Sequence, residues 1–240
     1  MMHLSHSDAP FDAVICLNGN IPQRETFEHL IDRPLVAADG AATVLFRAGI
    51  IPEYVVGDFD SISQDVLAAL RPISEFVVET DQETNDFEKA LVFAKTMLWS
   101  RLLVLGLHGG DLEHTLNNWS VMMRFGQDLS IVALDQRRFA IPIYQSFVYA
   151  AQVGELVSII PQPTARLTTT GLHWALTQED LTLGIREGAR NRATDTSVSI
   201  HVHSGALLFF CDADLPLAPV LAGGAIFDDS TIVPDGKNDA

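Results

Sequence analysis

Asp58 and Asp60, in the run Gly57-Asp58-Phe59-Asp60-Ser61, carry the strongest chemical signal in the chain. Carboxylate oxygens are hard ligands. A pair at Asp-x-Asp spacing projects to one side of an extended segment, where it can hold a magnesium ion against the phosphates of a nucleotide. The same two residues could instead cap a helix beginning near Ser61 or Ser63. Similar polar steps recur at Asn18-Gly19-Asn20, Asp39-Gly40, Thr80-Asp81-Gln82 and Gly106-Leu107-His108-Gly109-Gly110-Asp111. If these steps share one edge of a sheet, at least four carboxylates gather there. Crowded like charges call for a cation, and this donor set favours magnesium, calcium or manganese.

The run from Asp81 to Lys89 opens a helix, with Asn85 or Thr84 as N-cap and acids in its first turn. Lys89 lies one turn after Asp86 on the same face, so its ammonium meets either that carboxylate or an incoming phosphate. Gly109 and Gly110 precede a helix expected to begin near Thr115, and their amides can line an anion site at its N-terminus. His108 and His114 are open to two readings, acid-base groups or plain loop histidines. No Gly-x-x-x-x-Gly-Lys-Ser/Thr run is present and no Gly-x-Gly-x-x-Gly follows a strand, which sets aside the two most familiar nucleotide-binding classes.

The elements that must position these residues alternate in the first half of the chain. Short apolar β-type runs at 13–17, 35–38, 54–56, 75–78, 102–105 and 129–133 are separated by helical spacing at 24–31, 41–48, 64–70, 86–98 and 115–125. That alternation predicts an α/β domain over residues 1–140, a mostly parallel sheet flanked by helices with its ligands at the carboxyl ends of the strands. From about Phe139 the pattern changes to β-rich runs broken by Gly, Pro, Thr and Asn. Strands at 155–160, 165–170, 196–203 and 206–211 predict a C-terminal antiparallel β-sandwich domain over 141–227, followed by a mobile tail at 228–240.

Composition narrows the partners. Of 240 residues 48% are hydrophobic, enough for a sizeable core, and 31 acids against 15 bases give a formal charge of -16. Nucleic acid and anionic membrane surfaces are therefore not expected partners. Cys16 and Cys211 lie in apolar runs far apart, as core residues of a reducing compartment do. Residues 1–10 lack the features of a signal peptide and no apolar stretch reaches the roughly 20 residues that span a bilayer, so a cytoplasmic location is expected.

Taken in order, Asp39-Gly40, Gly57 to Ser61, Asp81 to Lys89 and Gly109 to Asn117 resemble thiamine pyrophosphokinase. The second half extends the resemblance through Gly171-Leu172-His173-Trp174-Ala175-Leu176, then Gly184, Gly188 and Asn191, and Ser204-Gly205-Ala206-Leu207-Leu208. It implies transfer of the pyrophosphoryl group from ATP to the hydroxyl of thiamine with release of AMP, by a magnesium-dependent homodimer whose thiamine pocket forms between subunits. Carried over by position, Asp58, Asp60 and Asp86 would hold the metal and, with Lys89, form the catalytic group. The ATP contacts implied are Asn18, Asp39, Gly40, Ser61, Asp81, Gln82, Thr84, Gly109, Gly110 and His114. Trp174, Arg190 and Asn191 would form the thiamine pocket, with Trp174 stacked on the cationic thiazolium.

The chain also departs from the family pattern. Asp111 stands where an arginine is usual, Glu113 replaces an aspartate, Asn85 a threonine and Arg190 a serine. Arg190 either brings positive charge toward a cationic substrate or turns to phosphate in place of the missing arginine. Two rival functions follow, a pyrophosphokinase for another heterocyclic alcohol such as a pterin, or a thiamine or nucleotide sensor that has lost catalysis.

Overall fold

A computed structural model describes residues 1–8, 11–30, 32–81 and 83–223, so Gln82, Ile31 and the expected tail at 228–240 lie outside the described residues. A first strand, β1 (Met2–Ser7), precedes the alternating region. That region runs β2 (Ala13–Cys16), α1 (Arg24–Glu28), β3 (Leu35–Ala38), α2 (Ala41–Arg47), β4 (Tyr54–Gly57), α3 (Gln64–Leu70) and β5 (Glu75–Val78), then α4 (Asp86–Thr96), β6 (Arg101–Leu105), α5 (Leu112–Phe125) and β7 (Ser130–Asp135). Strands β2 to β7 pair in parallel in the order β7-β6-β2-β3-β4-β5.

The short apolar runs form these strands because both faces are covered. Along β2 the side chains alternate between two cores. Val14 and Cys16 pack toward Ala41, Leu45, Val66 and Leu70, whereas Ala13 and Ile15 pack toward Phe87, Leu91, Val121 and Met122. Winding reverses between β2 and β6, and at such a switch point the carboxyl ends of neighbouring strands part to leave a crevice.

The second half is antiparallel: β8 (Arg138–Ile143), β9 (Phe147–Ala150), β10 (Leu156–Thr170), β11 (Glu179–Thr182), β12 (Gly188–Arg192), β13 (Ser197–Asp212) and β14 (Ala218–Gly223). It forms the sandwich by bending two long strands. The start of β13 pairs with β9 and its end with β8, while β10 runs beside both parts through register shifts. The four strands expected at 155–160, 165–170, 196–203 and 206–211 are therefore two continuous ones. Pro161, Pro163 and Gly205 suggested breaks but mark the bend. Gly205 has φ +82° and a Cβ there would lie 2.1 Å from the Thr164 carbonyl oxygen, so the two strands approach where only glycine fits.

Two further differences bear on organisation. β1 pairs antiparallel with β14 and in parallel with β9, so the opening residues join the second half of the chain and not the parallel layer expected for 1–140. Its sequence, Met-His-Leu-Ser-His-Ser, buries only Leu4 fully and gave no apolar run to read. β8 spans the expected division at 140, pairing with β7 on one side and β13 on the other, so hydrogen bonding is continuous between the halves.

Candidate active site

The crevice at the switch point is a cleft of about 660 Å³ lined by strand ends and by the first turns of α4 and α5. Asn18 and Gly19 follow β2, Asp58, Asp60 and Ser61 follow β4, Gly106, Gly109 and Gly110 follow β6, and the starts of α4 (Thr84, Asp86, Lys89) and α5 (Asp111, His114, Asn118) supply the helical side. Of the expected residues, Asn18, Asp58, Asp60, Ser61, Thr84, Asp86, Lys89, Gly109, Gly110 and His114 all line this cleft. Gly40 stands behind it, since a Cβ there would lie 2.5 Å from the Asn18 amide nitrogen.

Asp39 has a larger place than a nucleotide contact. Its oxygens, with those of Asp58 and Asp60, form a group in which one ligand atom from each residue lies within 4.8 Å of the others. Asp39 is almost fully buried, its Oδ2 accepts from the Ser61 amide at 3.3 Å, and its Oδ1 is buried with no hydrogen-bond partner. Burial pushes its carboxyl above the ordinary carboxylate range; Ser61 draws it back, and Asp86 and Asp60 add to the rise. A buried carboxylate that keeps one oxygen unsatisfied and belongs to a trio of acids fits a hard divalent cation. Asp39 follows β3 as Asp58 follows β4, so strand-end position alone could have placed it with the metal residues.

The loop after β4 is not the extended segment expected. Phe59 has φ +68° and Asp39 has φ +40°, so both acidic turns use left-handed backbone. Such a conformation costs roughly 1–2 kcal/mol for a residue with a Cβ, and at Phe59 the ring offsets it by packing edge-on to Phe76 at 5.2 Å. Convergence of Asp58 and Asp60 therefore comes from a turn, not from strand alternation. Neither carboxylate caps a helix: α3 has Ser63 as its N-cap, and Asp60 accepts from the Ser61 hydroxyl at 2.9 Å.

Lys89 is the buried cation of the cleft. Its Nζ lies 3.3 Å from Asp58 Oδ2 and 3.4 Å from Asp86 Oδ1. Burial alone would lower its pKa, but the two carboxylates hold it above the usual lysine value. Asp86 lies outside the close group of three acids; burial raises its carboxyl, and Lys89 opposes that rise. Asn85 caps α4 by accepting from the Glu88 amide at 2.9 Å, and it donates to Asn118 at 3.2 Å. Asn118 in turn donates to the Leu107 carbonyl at 3.1 Å, tying α4, α5 and the end of β6 together. That tether was missed because Asn118 lies inside a helix, where asparagine signals nothing about its partners.

α5 begins at Leu112, three residues before the expected start, so Gly109 and Gly110 stand directly before its N-terminus. Leu112 and Leu116 are exposed, and the apolar periodicity that marks helices was absent from that turn. Asp111 is the N-cap but makes no side-chain capping bond, so the first amides of α5, whose opening residues line the cleft, have no acceptor from that side chain. Asp81 does not reach the site; its Oδ1 accepts from the Glu83 amide at 2.9 Å in a local turn. Gln82 lies outside the described residues.

Trp174, Arg190 and Asn191 lie in the second half and do not line the cleft of their own chain. Asn191 is buried, accepts from the Trp174 amide at 3.1 Å and donates to its carbonyl at 2.8 Å, so it fixes the loop that presents Trp174. The Trp174 side chain is itself 60% exposed, with His173 edge-on at 4.5 Å. Arg190 is exposed with φ +57°, its amide donating to Ser158 Oγ at 2.9 Å.

Two family models match the chain, "Thiamin pyrophosphokinase, catalytic domain" over residues 27–133 and "Thiamin pyrophosphokinase, vitamin B1 binding domain" over 145–207. Together they cover well over half of it. The chain belongs to the thiamin pyrophosphokinase family. It is 28% identical over 220 residues to thiamine pyrophosphokinase 1 of Oryza sativa subsp. japonica, covering 78% of this chain and 82% of that protein. It is 25% identical over 156 residues to thiamine pyrophosphokinase of Bacillus subtilis, covering 62% and 73%. Among solved structures, thiamine pyrophosphokinase from Bacillus subtilis superposes with TM-score 0.70 at 21% identity, over 85% of this chain and all of that one. Thiamin pyrophosphokinase from Candida albicans gives 0.72 at 15% identity, over 89% and 99%. The mixed α/β and β-sandwich architecture is thus the family's.

The raised carboxyl of Asp39 makes a signed prediction. Its folded-state pKa lies above the unfolded value, so ionisation at neutral pH costs stability in the ion-free protein, and that cost fades as pH falls toward 3.8. Asp39→Asn is expected to raise the Tm of the ion-free protein at pH 7 by a few degrees and to remove most of the Tm increase given by added magnesium. Thermal unfolding at several pH values checks both effects, and the Tm advantage of the variant should narrow as pH is lowered.

Proposed function

We propose that the chain performs its family's reaction in this cleft, moving the pyrophosphoryl group of ATP to the hydroxyl of thiamine to give thiamine diphosphate and AMP. The observation that carries this reading is the Asp39, Asp58 and Asp60 group facing Lys89 at the switch point, beside the N-terminus of α5. Magnesium held by Asp58 and Asp60, with Asp39 joining them and Asp86 close by, would neutralise phosphate charge and polarise the bond between the α- and β-phosphates. Lys89 presents its ammonium to the transferring group, while the Gly109 and Gly110 amides and the first turn of α5 hold the phosphates in line. Asn18, Ser61, Thr84 and His114 border the nucleotide. No covalent protein nucleophile is required.

Thiamine is assigned to the surface around Trp174. Because Trp174 and Arg190 lie away from the cleft of their own chain, a homodimer in which one subunit's Trp174 completes the other's cleft accounts for both placements. The division into a catalytic unit near 1–140 and a thiamine-binding unit near 141–227 belongs to the same proposal, with β1 docked on the second unit. Two free, buried cysteines support a reducing, cytoplasmic setting, and among the described residues no helix is long and apolar enough to cross a membrane.

Purified protein incubated with ATP, magnesium and thiamine is expected to yield thiamine diphosphate and AMP. ADP as the sole nucleotide product would overturn the reading in favour of a simple kinase; turnover of a pterin alcohol but not thiamine, or ligand binding with no turnover, would favour the rivals. A cation-π contact of up to ~2 kcal/mol at Trp174 corresponds to about thirtyfold in affinity. Trp174→Ala is therefore expected to raise the KM for thiamine by roughly ten- to thirtyfold with the KM for ATP unchanged, as steady-state kinetics with each substrate varied would reveal.

A further inference from the structure

On the outward face of the sandwich, far in sequence from the acidic cleft, β13 presents His201 and His203 two residues apart on the same side. Their rings lie 4.4 Å between centroids at 84°. Each imidazole has one nitrogen engaged by a hydroxyl that is itself fixed by a backbone amide. His201 Nδ1 lies 3.0 Å from Ser146 Oγ, which accepts from the Val202 amide at 2.9 Å. His203 Nε2 lies 2.8 Å from Thr168 Oγ1, which accepts from the Gln178 amide at 3.0 Å.

We propose that His201 and His203 form a two-histidine site for a divalent transition-metal ion of the zinc, nickel or copper class, distinct from the carboxylate site for magnesium. Histidines that bind a metal characteristically engage their second nitrogen with a fixed outer partner, which sets ring orientation and tautomer, and Ser146 and Thr168 supply that partner here. His201 Nε2 and His203 Nδ1 make no hydrogen bond among the described residues and are the donor atoms. Metal-nitrogen bonds of about 2.0–2.1 Å around one tetrahedral ion place two ring centroids roughly 5 Å apart, close to the 4.4 Å of the present pair. Both rings are exposed, leaving water to fill the other positions. Imidazole nitrogen selects borderline metals, whereas the all-carboxylate cleft selects hard ones, so the two sites divide their ions by chemistry.

The test uses the full chain without a histidine tag, with magnesium in excess to occupy the carboxylate cleft, titrated with zinc chloride in a calorimeter. One zinc ion bound per chain is expected through this pair, weakened at least tenfold by either His201→Gln or His203→Gln. Ser146→Ala and Thr168→Val, which leave both histidines in place, are expected to weaken it by about tenfold, in the range of lost outer partners. Zinc binding that is equal in wild type and both histidine variants, or no zinc binding by wild type, overturns the proposal. Circular dichroism confirms folding; the exposed His203→Gln serves as the decisive variant if Ser146→Ala disturbs β13.

Discussion

Asp58→Asn is expected to lower kcat by at least about a hundredfold, the scale on which single preorganised charges act in transfer reactions. The substitution keeps size and one acceptor oxygen, so the Lys89 contact at 3.3 Å can persist while the negative charge is lost. Its position decides the size of the effect. Asp58 belongs to the acidic group of three and also faces the cation of the cleft, so the change weakens metal binding and leaves Lys89 with Asp86 as its remaining carboxylate partner. The fold should be untouched. Removing one of several crowded acids relieves repulsion in the ion-free state, but it also takes one carboxylate from buried Lys89, so the two effects offset and the expected change in Tm is small. Steady-state kinetics with magnesium varied, alongside thermal unfolding, checks both arms; turnover near wild type would place the chemistry elsewhere.

The parallel layer was legible because its strands are short apolar runs separated by amphipathic helices, and a strand buried on both faces has little freedom to be read otherwise. The polar residues after those strands were legible for the complementary reason, since nothing in packing asks for Asp39, Asp58 and Asp60 at strand ends. What sequence could not supply was the path of the loop between them. An Asp-x-Asp step reads as extended, yet Phe59 adopts left-handed backbone because its ring finds Phe76 on a neighbouring strand, a contact 17 residues away in the chain. β1 was hidden for a similar reason: its partners β9 and β14 both lie in the second half of the chain, and a strand built largely of His and Ser carries little pattern of its own. In the sandwich, proline and glycine were read as strand ends, whereas in a strand passing from one layer to the other they mark the corner.

The same crowding that identifies the cleft gives Lys89 two opposed roles, and Lys89→Met separates them. In the ion-free protein the ammonium acts as counterion to Asp58 and Asp86, standing where the cation's charge is needed. Its loss leaves carboxylates facing one another. Removing one partner from a buried pair costs about 3–5 kcal/mol; because Asp86 is 44% exposed and solvent screens it, ~1–2 kcal/mol is the expected loss here. Magnesium should restore most of it. Magnesium alone should bind more tightly to the variant, since a competing positive charge has gone, yet ATP should bind more weakly and kcat should fall by about a hundredfold or more, because phosphate loses its one buried protein cation among the described residues. Calorimetry of magnesium alone, then of ATP with magnesium, resolves the two movements. A lysine that served only packing would leave both affinities alike, and one that served only phosphate would leave ion-free stability intact. Opposite shifts in the two affinities are expected only if Lys89 exchanges its carboxylate partners for phosphate when the site fills.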